Sequence, residues 1–151
     1  SQTKINDLTY VWPGGDDDAK VVFSSIAATG IDFFDCSAHL GLAHVFDTDH
    51  SLSGLARRHS GLPVFANGKL HDPALANSAI VEKEGDFVAI AKGALADPEW
   101  PQKIAAGREP IPFSPAMVMP FATLDCNESF WKENPSGIPA EPVAGRDGAE
   151  S

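Results

Sequence analysis

Three times in the first hundred residues a helical stretch is closed by glycine and followed at once by a short apolar run. No other feature of the chain restricts its fold as much. After Asp16-Asp17-Asp18, whose carboxylates suit the positive end of a helix dipole, Ala19, Val22, Phe23, Ile26 and Ala27 recur at helical spacing. Gly30 stops that helix, and Ile31 to Ser37 follows as a buried strand. Ser51 to His59 then carries Leu52, Leu55 and Ala56 on one face, Gly61 ends it, and Pro63-Val64-Phe65-Ala66 is the second strand, closed by Asn67-Gly68. Asp72 as N-cap and Pro73 in the first helical position open a third helix with Leu75, Ala76, Ala79 and Ile80 as its buried stripe. Gly85 ends it, and Asp86 to Ala91 is the third strand. Asp97-Pro98 repeats the cap-then-proline start for a last helix through Ala106, stopped by Gly107. Strands too apolar to face water on either side, alternating with helices, predict βα units on a parallel sheet.

Three such strands alone leave two naked edges, whereas a complete (β/α)₈ barrel takes about 250 residues. At 151 residues the chain reads as α/β and as part of a TIM barrel, three to four of its βα units followed by an extended C-terminal tail. The expected division is 1–108 for the barrel part and 109–151 for a proline-rich tail with little periodicity, frayed beyond Gly145. The start at Ser1, with no signal-like pattern after it, adds to the expectation of a fragment.

Eleven basic against 21 acidic residues give a net charge of −10, which argues against a nucleic-acid partner because duplex phosphates need a concentrated cationic surface. One local phosphate site is still compatible with that balance, since backbone N–H groups and a single Lys or Arg suffice. Cys36 and Cys126 stand about ninety residues apart without a CxxC pair, so neither a zinc knuckle nor a thioredoxin-like site is expected. No apolar run approaches the roughly 18 residues of a membrane span. A soluble chain in a reducing cytoplasm, with no membrane partner, is the expectation.

In parallel α/β architectures ligands gather at the C-terminal ends of strands. Two of those ends suit phosphate: Asn67-Gly68-Lys69 after the second strand, and Ala91-Lys92, with Gly93 and Ala94, after the third. Each puts a small or glycine-rich turn beside a cation. Taken singly, such Gly–Lys pairs are ordinary solvated turns; their repetition at successive strand ends favours a shared phosphate. His39, His44, Asp47, Asp49 and His50 crowd the loop after the first strand, but their spacing matches no ligand pattern, so no metal is expected. Asp35-Cys36-Ser37 reads as a buried Cys with a capping Ser rather than a polar cluster. Trp12, Trp100 and Trp131 read as packing residues, Trp100 seating its helix and Trp131 anchoring the tail.

The sequence resembles the flavin oxidoreductases of the old yellow enzyme type, FMN-dependent TIM barrels. The resemblance runs through Val64-Phe65-Ala66-Asn67-Gly68, Asp72-Pro73-Ala74 and, above all, Gly85 to Pro101, which looks like the family's eighth strand and following helix. Ser1 to Asp7 is similar to the segment after its fifth strand and Gly30 to Ser37 to its sixth, so the likeness covers about residues 1 to 113. It implies FMN held by its phosphate at the seventh and eighth strand ends, with Asn67, Gly68 and Lys69 at the first turn and Ala91 and Lys92 at the second. The family usually has Gly-Arg where this chain has Ala91-Lys92, and Lys lacks the planar fork with which Arg grips phosphate. The resemblance further implies NAD(P)H as electron donor and an enone or quinone as small-molecule acceptor. Residues that contact the flavin ring and substrate come, in the family, from strands preceding this segment. The catalytic residues therefore stay unassigned, and the chain is expected to need an N-terminal half-barrel, or self-association. The alternative is a non-catalytic half-barrel that binds a phosphate-bearing ligand or a protein through its sheet edges.

Overall fold

A computed structural model describes residues 10–137. The expected start of the barrel part, the segment Ser1 to Asp7 and the end of the tail lie outside the described residues. The chain divides into two compact units, Ser1–Ile90 and Ala91–Ser151.

The first unit runs α1 (Asp16–Ala27), β1 (Phe34–Ser37), α2 (Leu52–Ser60), β2 (Val64–Asn67), α3 (Pro73–Val81) and β3 (Phe87–Ala89). The strands form one parallel sheet in the order β1-β2-β3, with Phe34 opposite Val64, Cys36 opposite Ala66 and Asn67 opposite Ala89. Their order and direction are those the helix–glycine–strand repeat predicts. Helix ends follow local chemistry: Ser51 caps α2 by accepting from the Gly54 N–H, Gly61 closes it at φ 69°, and Asp72 caps α3 ahead of Pro73.

One face of the sheet is covered. Ala19 and Phe23 of α1 and Leu55 and Ala56 of α2 pack with Phe34, Cys36 and Val64 into the main core, and Trp12 joins it through Phe23 and Phe46. Ala66, Leu70 and Ala79 form a second, smaller cluster. On the other face Phe33, Phe65 and Phe87 touch in a row, their ring centroids 5.3 and 4.8 Å apart. Phe33 and Phe87 are 53% and 51% exposed. The expectation of strands covered on both sides is thereby corrected: the burial alternates along β1, and only the helix-bearing face is sealed.

Two details of α3 also differ from expectation. Ala76 and Ala79 are buried, but Leu75 and Ile80 of the expected stripe are exposed, because α3 lies close and only its smallest side chains face inward. The helix stops at Val81 rather than at Gly85; Lys83 turns the chain at φ 61°, and Gly85 instead sits where an added Cβ would lie 3.0 Å from that of Ala66.

The second unit contains α4 (Lys92–Ala96), α5 (Trp100–Ala105), a 3₁₀ turn (Pro115–Val118) and α6 (Leu124–Glu133). Ala96, Met117 and Phe130 form its core, with Ile111, Phe113 and Trp131 against it. An extended tail from residue 109 is thus corrected to a segment with its own turn, helix and core. Thr123 caps α6 by accepting from the Cys126 N–H, and Trp131 meets Phe130 edge to face. Asp97 does not begin α5 in the expected manner. It is the C-cap of α4, and its buried carboxylate accepts from the Glu99 and Ile111 N–H groups and from Lys103 Nζ at 2.6 Å. No helix among the described residues is long and apolar enough to cross a membrane.

Candidate functional site

The C-terminal ends of β2 and β3 are neighbours, since Asn67 and Ala89 are register partners. At the end of β2 the chain must leave the sheet sharply: Gly68 has φ 140°, which side chains rarely tolerate, and Lys69 has φ 55°. The turn is pinned from the side by the loop after β1. Ala38 N–H donates to the Asn67 carbonyl at 3.0 Å, and Gly41 N–H to the Gly68 carbonyl at 2.8 Å. A Cβ on Gly68 would collide with the Ala38 carbonyl and lie 2.6 Å from the Gly41 nitrogen. The Lys69 side chain is exposed.

Beyond β3 the chain passes into the second unit. Ala91 is the N-cap of α4 and Lys92 its first residue, both exposed, with no side-chain hydrogen bond at the cap. The Lys92 ammonium sits 5.5 Å from the centre of the Phe113 ring, a cation–π distance. So the five expected site residues fall on two separate turns, one in each unit, each with one exposed lysine. A turn that only glycine permits, beside an exposed lysine, is the kind of donor set that suits a phosphate group.

Other polar clusters serve the framework. The buried Glu84 carboxylate accepts from Ser51 N–H at 2.7 Å, from the Ser51 hydroxyl at 2.5 Å and from His50 Nδ1 at 2.9 Å. Burial alone would raise its pKa, but the hydrogen bonds from Ser51 and His50 outweigh that and hold it below the ordinary value. Gly54 is obligatory beside it, since a Cβ there would overlap this carboxylate. Asp97 follows the same logic: its burial is opposed by Lys103 and by the Ile111 and Glu99 N–H groups, and its pKa is lowered. Arg57 Nε donates to Asp86 at 2.9 Å, and the other Asp86 oxygen accepts from Val64 N–H. Arg57 and Asp86 line a surface recess of about 280 Å³ with Gly61, Leu62 and Pro63, beside the residues that precede β2 and β3 and so at the sheet end opposite the Gly68 turn.

Of the histidine-rich loop, His50 is engaged with Glu84, and among the described residues no group of three or more His, Cys, Asp or Glu is placed to hold a metal. Cys36 is buried, and its thiol is pushed up to about 11 by burial and by the neighbouring Asp35 charge. Sequence reasoning overlooked Ala38, Gly41, Glu84 and the stapling role of Asp97. Gly41, flanked by Leu40 and Leu42, carried a visible signal of close backbone approach. The contacts of the others join segments far apart in the chain, and no local pattern announces them.

The sequence pattern that defines the NADH:flavin oxidoreductase / NADH oxidase family matches residues 4–110. A relative named NADH oxidase, from Thermoanaerobacter brockii, is 44% identical over 48 residues. That stretch is 32% of this chain and 7% of the other protein, so the chain spans only a small part of the relative it matches.

Proposed function

For a chain that belongs to the NADH:flavin oxidoreductase / NADH oxidase family, we propose the part of C-terminal barrel strand ends that holds the phosphate of FMN in an NAD(P)H-dependent ene-reductase. The observation that carries this reading is the Gly68 turn. It stands at a parallel strand end, bars a side chain by its geometry and is followed by an exposed lysine. Bound FMN supplies the hydride-accepting chemistry, with NAD(P)H as donor and an enone or quinone as acceptor. In this reading Asn67, Gly68 and Lys69 bind the phosphate, as do Ala91 and Lys92. Lys92 contributes charge without the two-pronged grip of an arginine, so it draws the phosphate in and leaves its orientation to the backbone of the first turn.

None of the residues assigned here would touch the reacting ring, so turnover depends on the strands that precede this segment in the barrel, supplied by the rest of a longer chain or by a partner. A non-catalytic role, binding protein or a phosphate-bearing ligand, is favoured by one feature only: the row of Phe33, Phe65 and Phe87 on a sheet whose β1 and β3 edges are unpaired among the described residues. The purified chain, alone and then with a separately expressed N-terminal half-barrel, separates the two. Yellow colour, retained FMN and NADPH oxidation with an enone are expected in the complemented sample. Complex formation with neither flavin nor turnover would assign the chain to the binding role.

A further inference from the structure

We infer that the loop after β1 aims the phosphate turn after β2, and that Gly41 is the positioning residue through which it does so. The inference rests on the reading of Asn67-Gly68-Lys69 as a phosphate turn and adds a part of the chain that this reading does not include.

The argument is one of peptide geometry. In a trans peptide the carbonyl and the following N–H point in opposite directions. The loop captures two successive carbonyls: Ala38 N–H holds that of Asn67 and Gly41 N–H that of Gly68, at 3.0 and 2.8 Å. With both carbonyls drawn toward residues 38–41, the N–H groups of Gly68 and Lys69 are turned away from the loop and cannot swing back. With Asn67 and Ala89 as register partners, the Gly68 N–H faces β3, and the Lys69 N–H projects from the strand end where the exposed Lys69 side chain departs, a backbone donor beside a cation for an anion to meet. The approach is tight from both sides. Gly41 is buried, and a Cβ on it would lie 2.9 Å from the Gly68 carbonyl oxygen and 3.3 Å from the Asn67 carbonyl group. Its own φ lies outside the left-handed region, so what excludes a side chain at Gly41 is the neighbouring turn and not the residue's backbone conformation. Leu42 packs against the Ala66, Leu70 and Ala79 cluster and seats the loop on the sheet.

The test compares two ligands that differ only in the phosphate, FMN and riboflavin, by quenching of flavin fluorescence on the full chain carrying its barrel complement. Gly41→Ala should weaken FMN binding about tenfold, the size of one lost charge-assisted hydrogen bond, and leave riboflavin affinity unchanged. Inorganic phosphate should compete with FMN on the parent chain and lose that competition in the variant. Ala38→Pro, which removes the other N–H without adding bulk at Gly41, should give the same selective loss and guards against a folding defect in Gly41→Ala. Parallel loss of both flavins, or an intact preference for FMN in both variants, would overturn the positioning role. A parent chain that binds FMN and riboflavin equally would instead overturn the phosphate reading on which the inference stands.

Discussion

The two turns singled out as phosphate sites are alike in sequence and unlike in how the protein holds them. Asn67-Gly68-Lys69 is fixed by backbone: two carbonyls are captured by a neighbouring loop, and the conformation at Gly68 admits no side chain. Ala91-Lys92 begins a five-residue helix with no side-chain bond at its N-cap, its cation leaning on Phe113 and its far end tied by the Asp97 carboxylate. Backbone geometry is indifferent to pH and salt, whereas a charge knot is sensitive to acid and a surface cation to ionic strength. The first turn is thus the constant element and the second the adjustable one.

The largest expected effect falls on the adjustable side. Asp97→Asn keeps the shape but leaves Lys103 without its anion in a largely buried pair, and should cost about 3 kcal/mol in denaturant unfolding. A loss below about 1 kcal/mol would mean that the knot does not support α4. Gly68→Ala comes next, at about 1 to 3 kcal/mol, because alanine is forced into a glycine conformation against the Ala38 carbonyl. If its unfolding midpoint equals that of the parent, the first turn is not rigid and the contrast between the turns collapses. Lys92→Ala should lower stability by no more than the roughly 0.5 to 1 kcal/mol of its contact with Phe113 and weaken FMN binding by about 1 to 2 kcal/mol, more at low salt than at high. Unchanged affinity would remove Lys92 from the site. The smallest effect is expected from Phe113→Leu, which removes a cation–π contact worth about 0.5 to 1 kcal/mol and should change FMN affinity by no more than that.

Acid offers a separate way to sharpen the contrast. Glu84 and Asp97 both ionise more readily in the folded chain than in the unfolded one. The stability they add is therefore complete above their ordinary values of 4.5 and 3.8 and is lost as pH falls through the lower values held in the fold. Titration of unfolding free energy from pH 7 to 3 should show that loss, and Asp97→Asn should flatten its lower part. A parent profile that stays level through this range would contradict both assignments.

Much of the first unit was legible because its signals are local. The Gly61 stop, the Ser51 and Asp72 caps and the Pro73 start are each written within a few residues, and the structure places helix ends at them. The faces of the sheet were less legible. Phe33, Phe65 and Phe87 have the composition of buried residues, and only the packing of α1 and α2 against the other face shows which side is sealed. In the second unit, prolines at 110, 112, 115 and 120 masked the Thr123 cap and the α6 helix behind it, since proline density reads as extended chain until a core is seen to form around Met117 and Phe130. Of the site, the turns themselves could be read and their supports could not, because the carbonyls of Asn67 and Gly68 are held by residues almost thirty positions earlier.

The two thiols give the molecule an internal clock and a reference to read it against. Cys36 lies in the core of the first unit and Cys126 on α6 of the second, and both are free. With its pKa near 11, Cys36 carries only about one part in a thousand of thiolate at pH 8, and its burial closes it to reagents as well. Its alkylation therefore waits on opening of the β1 layer, and the labelling rate measures how often that layer opens. Cys126 is only half-buried, so its labelling serves as the reference for reagent access. Mass spectrometry of the two modified peptides, taken over time with and without FMN, would show whether added flavin slows the opening of the β1 layer.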